Sequence, residues 1–245
     1  MPHVDSYYAA TAHPAPTHPQ LQGAAGFDVC VVGAGIAGCA TALELAERGY
    51  RVALLEAERV GWGASGRSGG QAIFGYGTSQ ASLAAQVGPE VARRMWDVSI
   101  DALDWVRARV ARHAIDCDLN WGHLHAATKP RQREELLELR HELAEVYGYH
   151  SPRLLERPDV ERLLATKRYC AGLFDPRSGH LHPLNYTLGL ARAAVAAGVS
   201  IFESSPVIRI ERGEPARVAT PHGMLTARFV VLTRGGYVAG LRAGS

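Results

Sequence analysis

Apolar residues first gather at Val29-Cys30-Val31-Val32, a largely β-branched run bounded by Asp28 and Gly33. Both faces of that run are apolar, which predicts a strand buried on both sides, as in a parallel sheet. Residues 36–48, rich in Ala, Leu and Glu and followed by Gly49, predict a helix. A second strand is expected over 51–55, ending on Glu56. Further on, Val91, Met95, Val98, Ala102, Trp105 and Val110 recur at i+3/i+4 spacing and predict a long helix over 89–114, with Pro89 in its first turn. A strand over 117–128 and a charged amphipathic helix over 131–147 follow, the latter ended by Gly148. A short helix is expected after Pro158, then a strand over 169–174 that runs into a turn at Asp175-Pro176-Arg177-Ser178-Gly179. After a helix over 183–197 the pattern turns strand-like at 199–202, 207–211, 216–220, 225–228 and 229–233. Residues 1–26, with HPAPTHPQ near their middle, read as an extended arm draped over the surface.

Between the first strand and its helix lies Gly33-Ala34-Gly35-Ile36-Ala37-Gly38, which fits G-x-G-x-x-G. Gly33 permits a tight turn, Gly35 lets backbone approach a pyrophosphate, and Gly38 lets the helix lie close to the strand. The helix N-terminus and its dipole favour an anion there. An acid such as Glu56, at the end of the second strand, can accept hydrogen bonds from ribose hydroxyls. Strand, glycine turn, helix, strand and acid in that order indicate dinucleotide binding, against the bland alternative of a βαβ unit without nucleotide. A second glycine- and serine-rich segment spans 61–71, with Arg67 and Gln71 in it. Because it follows the strand that ends on Glu56, it is expected at the mouth of the nucleotide crevice, where backbone and hydroxyl donors can approach a flat polar ligand. A flexible surface loop is the alternative.

Composition narrows the partners. With 245 residues, 47% hydrophobic and 20% charged, the chain suits one large or two modest soluble domains. A formal charge of +2 gives no basic field for nucleic acid. The most apolar stretch, 29–43, is shorter than a membrane span and studded with glycine, so no membrane partner is expected. Residues 1–20 lack the apolar core of a signal peptide. The four cysteines have no C-x-x-C spacing, so a cytoplasmic, reducing setting is expected. His123-Leu124-His125 and His180-Leu181-His182 would each project two imidazoles from one face of an extended segment. No Cys or Glu joins them at ligand spacing, so polar contacts rather than a metal are expected.

The glycine motif, Glu56 within LEAERVGWGASGRSGGQ, the later SGHLHPLNYTLGLARAAVAAGV and the early Ser6-Tyr7-Tyr8-Ala9-Ala10 together resemble the flavin-dependent D-amino-acid/glycine oxidase superfamily, in particular the N-terminal part of its gamma-glutamylputrescine oxidase branch. The resemblance runs from Ser6 to about Leu241, and residues 63–71 are its most specific part. It implies an α/β fold: a doubly wound, Rossmann-like FAD-binding domain with part of an inserted α+β substrate domain. The FAD-binding domain would be discontinuous, over 27–87 and 166–236, with 88–165 in the substrate domain and the family's C-terminal half absent. It implies that Gly33, Gly35, Ile36, Ala37 and Gly38 face the pyrophosphate and that Glu56 and Ala57 face the ribose. Ser65, Arg67, Gly69, Gly70 and Gln71 would lie along pyrophosphate and flavin, and Val207 would hold adenine through its backbone. Relatives that tether flavin through a histidine carry it where this chain has Gly70-Gln71-Ala72, so FAD is expected to be non-covalent. The family's small-residue turn after the last strand falls at Thr233-Arg234-Gly235-Gly236, where Arg234 is a departure. The implied chemistry is oxidation of a C–N bond of an amine or amino acid, with hydride passing to flavin N5 and oxygen or another acceptor reoxidising it. The family's substrate-gripping groups lie mostly beyond 245, so no catalytic residue is assigned. An inactive nucleotide-binding fragment and a nicotinamide-dependent dehydrogenase are the competing readings.

Overall fold

The computed structural model describes residues 2–233 and the backbone of 242–243. The chain forms two units, one of residues 1–70, 110–117 and 182–245, the other of 71–109 and 118–181.

In the first unit a four-residue helix, α1 (Tyr7–Ala10), precedes β1 (Gly23–Val32). α2 (Ile36–Glu47) then leads to β2 (Val52–Leu55), the βαβ start expected from the glycine turn. Both strands bury their apolar runs: Val29, Cys30, Val31 and Val52 to Leu55 are all at most 2% exposed. Each of the Val and Leu side chains is worth roughly 1.5–3 kcal/mol when removed from water. Burial also pushes the Cys30 thiol up to about 12, which leaves it an inert apolar filler.

The second unit begins with β3 (Gln71–Ala72), α3 (Gln80–Val87) and most of α4 (Pro89–Arg112). It continues through β4 (Asn120–Ala127), α5 (Pro130–Glu145), β5 (Arg153–Glu156), α6 (Arg157–Leu164) and β6 (Ala171–His180). β6 pairs antiparallel with β3, β4 and β5. Ala127, Leu136, Ala171 and Leu173 pack between sheet and helix, and Trp96, Leu143 and Tyr149 form a second cluster with Phe74.

The chain then returns to the first unit with α7 (Pro183–Ala196), which packs against α2 and is buried over most of its length. β7 (Ser200–Phe202), β8 (Arg209–Glu211), β9 (Ala216–Ala219), β10 (Gly223–Leu232) and β11 (Arg242–Ala243) complete a seven-stranded sheet in the order β11-β8-β9-β10-β1-β2-β7. Its centre is parallel: β1 pairs with β10 from Gly23↔Gly223 to Val32↔Leu232, and β2 lies between β1 and β7. This is the α/β class expected from the sequence.

Three local readings change. Residues 225–228 and 229–233 do not form two strands; one strand, β10, runs through both because β1 pairs along nearly its whole length. β1 itself starts at Gly23, ahead of its hydrophobic run, since Gly23-Ala24-Ala25-Gly26 carries no β-branched residue yet follows the register of 223–226. The turn at 175–179 is instead the second half of β6. Its turn chemistry is present, for Asp175 accepts the N–H groups of Arg177 and Ser178 at 3.2 and 3.1 Å. β4 nevertheless keeps pairing to His180 across an irregularity at Gly122, whose φ is +113°. β5 pairs only as far as Phe174, so the donor that Pro176 lacks is not missed on that side. Asp175, 2% exposed, also accepts the Tyr149 hydroxyl at 2.9 Å and the Ser151 hydroxyl at 2.7 Å.

Candidate functional site

The chain leaves β1 through Gly33, whose φ of +105° suits glycine alone and whose N–H reaches the Leu55 carbonyl at 2.7 Å. Thr233 backs this turn, its hydroxyl lying 3.0 Å from the Val32 carbonyl and 2.9 Å from that of Gly33. Gly35 caps α2 without a side-chain hydrogen bond, and the first turn of α2 holds no acid. Ile36 N–H donates to the Ser65 hydroxyl at 3.0 Å. The N–H groups of Ala37 and Gly38 have no partner among the described residues. A helix start with free donors and no acid is ready for an anion.

Glycine is required at two of these positions for different reasons. A Cβ on Gly38 would overlap the Gly33 carbonyl oxygen and come within 2.7 Å of the Thr233 hydroxyl. A Cβ on Gly35 would meet only the Ser65 hydroxyl, at 2.7 Å. Gly38 therefore answers to packing, and Gly35 to the space above the helix start.

Glu56 follows β2 and braces the glycine turn. Its carboxylate accepts Ala34 N–H at 2.7 Å and Glu58 N–H at 3.0 Å. Burial raises its pKa, and the N–H groups of Ala34, Glu58 and Ala57 pull it back down. Ala57 is exposed. The loop then folds back on the turn, with Gly61 N–H donating to the Ala34 carbonyl at 2.9 Å and a 3₁₀ turn over Ala64–Gly66. Arg67 is exposed, stacks 4.9 Å over the Trp62 ring and donates to the Gly63 carbonyl at 3.2 Å. Gly69 is exposed, and Gly70, at φ +67°, is buried. Gln71 opens β3 in the second unit, opposite His180.

Val207 lies beyond β7, half-buried against the cluster of Cys30, Val32, Leu55 and Leu225. Neither its N–H nor its carbonyl is bonded to another described residue. Two residues earlier, Ser205 N–H donates to the Glu56 backbone carbonyl at 2.8 Å. The first unit thus gathers the glycine turn, Glu56 and the loop to Gly70 around the start of α2. The turn read at 233–236 lies outside the described residues after Thr233.

The histidine triplets part company. His123 and His125 lie on β4 and His180 ends β6, all in the second unit, whereas His182 caps α7 in the first. His182 accepts Asn185 N–H through Nδ1 at 3.1 Å, and its Nε2 meets the Thr11 hydroxyl at 3.0 Å. Glu203, which no sequence pattern singled out, is 3% exposed. It accepts Val60 N–H at 2.8 Å and pairs with Arg59 at 3.0 Å. Its position just after an apolar strand end was the one available signal.

Residues 28–245 match the profile of the family described as FAD dependent oxidoreductase (DAO). The chain is 40% identical over 237 residues to a probable oxidoreductase, OrdL, of Haemophilus influenzae, covering 96% of this chain and 55% of that protein. Gamma-glutamylputrescine oxidoreductase of Escherichia coli is 37% identical over 236 residues, again covering 96% and 55%. The chain therefore spans about half the length of the curated relatives it matches. Among solved structures, L-amino acid deaminase from Proteus myxofaciens superposes with a TM-score of 0.74 at 27% identity, covering 91% of this chain and 49% of that one. Glycine oxidase from Geobacillus kaustophilus gives a TM-score of 0.67 at 24% identity over 86% and 56% of the two chains, a likeness of fold.

Proposed function

We propose, on the premise that the chain belongs to the FAD dependent oxidoreductase (DAO) family, that it holds the ADP half of FAD in a flavoprotein that oxidises a C–N bond of an amine or amino acid. One observation carries the reading: the N–H groups of Ala37 and Gly38 have no partner among the described residues, at a helix start that Ser65 meets through Ile36 N–H and Glu56 braces from the end of β2. A pyrophosphate suits those donors, and the absence of a Cβ on Gly35 lets it approach them beside Ser65. Gly33, Gly35, Ile36, Ala37 and Gly38 take the pyrophosphate side, with Ser65, Arg67, Gly69 and Gly70 along the loop above. Glu56 and the adjacent Ala57 face the ribose, and the backbone of Val207, unbonded to any other described residue, takes adenine. FAD, held without a covalent bond, supplies when bound the hydride acceptor for a carbon beside an amine nitrogen. The protein's share is to orient the cofactor and exclude water from it. A gamma-glutamylated polyamine is the favoured substrate, supported by the Escherichia coli relative, with oxygen or another acceptor taking the electrons. Cysteines without C-x-x-C spacing support a cytoplasmic setting, and no helix among the described residues is long and apolar enough to cross a membrane.

The test is a titration with FAD followed by flavin fluorescence, with ADP and NAD as competitors. ADP is expected to compete, and NAD, which carries the same ADP half, to compete no better than ADP; displacement by NAD with none by ADP would overturn the reading. Anaerobic bleaching of bound flavin by gamma-glutamylputrescine, set against simple amines and amino acids, then reads the substrate class. Binding without bleaching by any of them would leave the chain a nucleotide-binding module.

Glu56 gives a sharper check. Glu56→Gln keeps an acceptor for Ala34 N–H but loses the charge offered to the ribose. FAD affinity is expected to fall by about 1.5–3 kcal/mol, the scale of a hydrogen bond to a charged group, with a few degrees' loss of melting temperature because the new amide NH2 group faces Glu58 N–H. Equal affinity in variant and parent would remove Glu56 from the ribose.

A further inference from the structure

The proline-rich arm is tied to the candidate site's loop by polar contacts at both ends. At its start the Trp62 indole N–H donates to the Pro2 carbonyl at 3.0 Å, and His3 Nε2 lies 2.9 Å from the Val60 carbonyl. Towards its end, His18 N–H donates to Glu203 at 3.0 Å. The same buried carboxylate accepts Val60 N–H at 2.8 Å and pairs with Arg59. Between these ends, His13 N–H donates to the Asn185 side chain at 2.9 Å and Thr11 meets His182.

Apolar packing fastens the arm near its ends, through buried Leu21 and the edge contact of Tyr8 with the His182 ring, but not in its middle. A cavity of about 110 Å³ lies where Ala15, Pro16 and His18 cross Leu188, Ala191 and Val195 of α7. The middle of the arm thus bridges a gap, and hydrogen bonds to buried acceptors hold it. A buried carboxylate short of a donor is costly, so Glu203 couples the arm to residues 59–60.

What the arm grips leads straight into the site. Gly61 N–H, next to Val60, holds the Ala34 carbonyl, and Ser65 accepts Ile36 N–H at the start of α2. A glycine-rich loop is entropically expensive to order, and any order supplied beforehand is spared on binding.

We propose that the arm is a strap and that Glu203 is a positioning residue: together they pin residues 59–62, and so hold the loop bearing Ser65 ready for the cofactor's pyrophosphate. This rests on the FAD reading above, and it assigns to the arm a role beyond covering surface.

The test uses the full chain with four variants made separately. His18→Pro deletes the N–H that loads Glu203, and the imidazole with it. Trp62→Phe deletes the donor to Pro2 while keeping a ring beneath Arg67. Glu203→Ala removes the hub, and Glu203→Gln restores one acceptor. Hydrogen–deuterium exchange without ligand is expected to rise about tenfold over 57–66 in the first three variants, with β9 and β10 unchanged. The FAD dissociation constant is expected to rise about tenfold in Glu203→Ala and to recover in part in Glu203→Gln. Unchanged exchange over 57–66 in both His18→Pro and Trp62→Phe overturns the strap. Raised exchange with unaltered FAD affinity overturns the positioning role. A parent protein that takes up neither FAD nor ADP overturns the FAD reading and the positioning role with it, whereas the ligand-free exchange still decides whether the strap exists.

Discussion

Gly38→Ala is expected to cost the protein its stability even though alanine is the better helix former. Removing a helical glycine gains roughly 1 kcal/mol in propensity. Against that, the new methyl would overlap the Gly33 carbonyl oxygen and crowd the Thr233 hydroxyl, 2.7 Å from it. The oxygen cannot swing aside, because Gly33 is held at φ +105° with its N–H on the Leu55 carbonyl. α2 must then lift from β1, opening the packing of Cys39, Ala42 and Leu43, each 0% exposed. Overpacking costs about 1–3 kcal/mol where side chains yield, and here backbone must move, so a net loss of about 3 kcal/mol is expected. On the usual scaling for a chain of this size that lowers the melting temperature by about 6–12 °C. A melting temperature within about 2 °C of the parent would show that α2 does not need the close approach.

Gly35→Val should behave in the opposite way, folding normally and losing the cofactor. Gly35 has φ −80° and ψ −174°, an extended conformation open to valine. Its Cβ meets only the Ser65 side chain, whose hydroxyl can rotate away at the cost of its bond to Ile36 N–H. The cost falls on the space above α2, where two γ-methyls would fill the approach to Ala37 and Gly38 N–H. FAD and ADP affinity are expected to fall at least about 100-fold, or roughly 2.7 kcal/mol, with the melting temperature of the ligand-free protein nearly unchanged. Parent-like flavin binding by a folded Gly35→Val protein would mean that the pyrophosphate does not lie there. The two variants thus separate a glycine needed for packing from one needed for access.

The segment from β1 to Glu56 was legible because its signals are local: a buried β-branched run, a glycine turn, a helix closed by Gly49 and an acid at a strand end. α7 and the apolar part of β10 were legible for the same reason. Structure fixed by distant partners was not. Gly23-Ala24-Ala25-Gly26 is a strand because residues near 223 lie beside it. Asp175-Pro176-Arg177-Ser178-Gly179 stays extended because β4 continues opposite it, although its composition announces a turn. α3 and β5, short and weakly patterned, left no signal strong enough to read. Around the site, the glycine loop was readable as a segment, but nothing local placed the Ser65 hydroxyl on Ile36 N–H. Glu203 was hidden for a related reason: its donors are Val60, Arg59 and His18, more than 140 positions away along the chain.

The pairing of β1 with β10 also bears on how the chain reaches this state. Partners such as Gly23 and Gly223 stand 200 positions apart (223 − 23), yet they form the middle of the sheet. At a synthesis rate of about 5–20 residues per second, β1 waits roughly 10–40 s for its neighbour to emerge from the ribosome. β2 and α2 arrive early and can cover one side of it, leaving a long apolar edge open to other nascent chains. Such high contact order slows folding, and the yield of soluble protein should depend on chaperone supply and expression temperature more than the stability of the finished sheet would suggest.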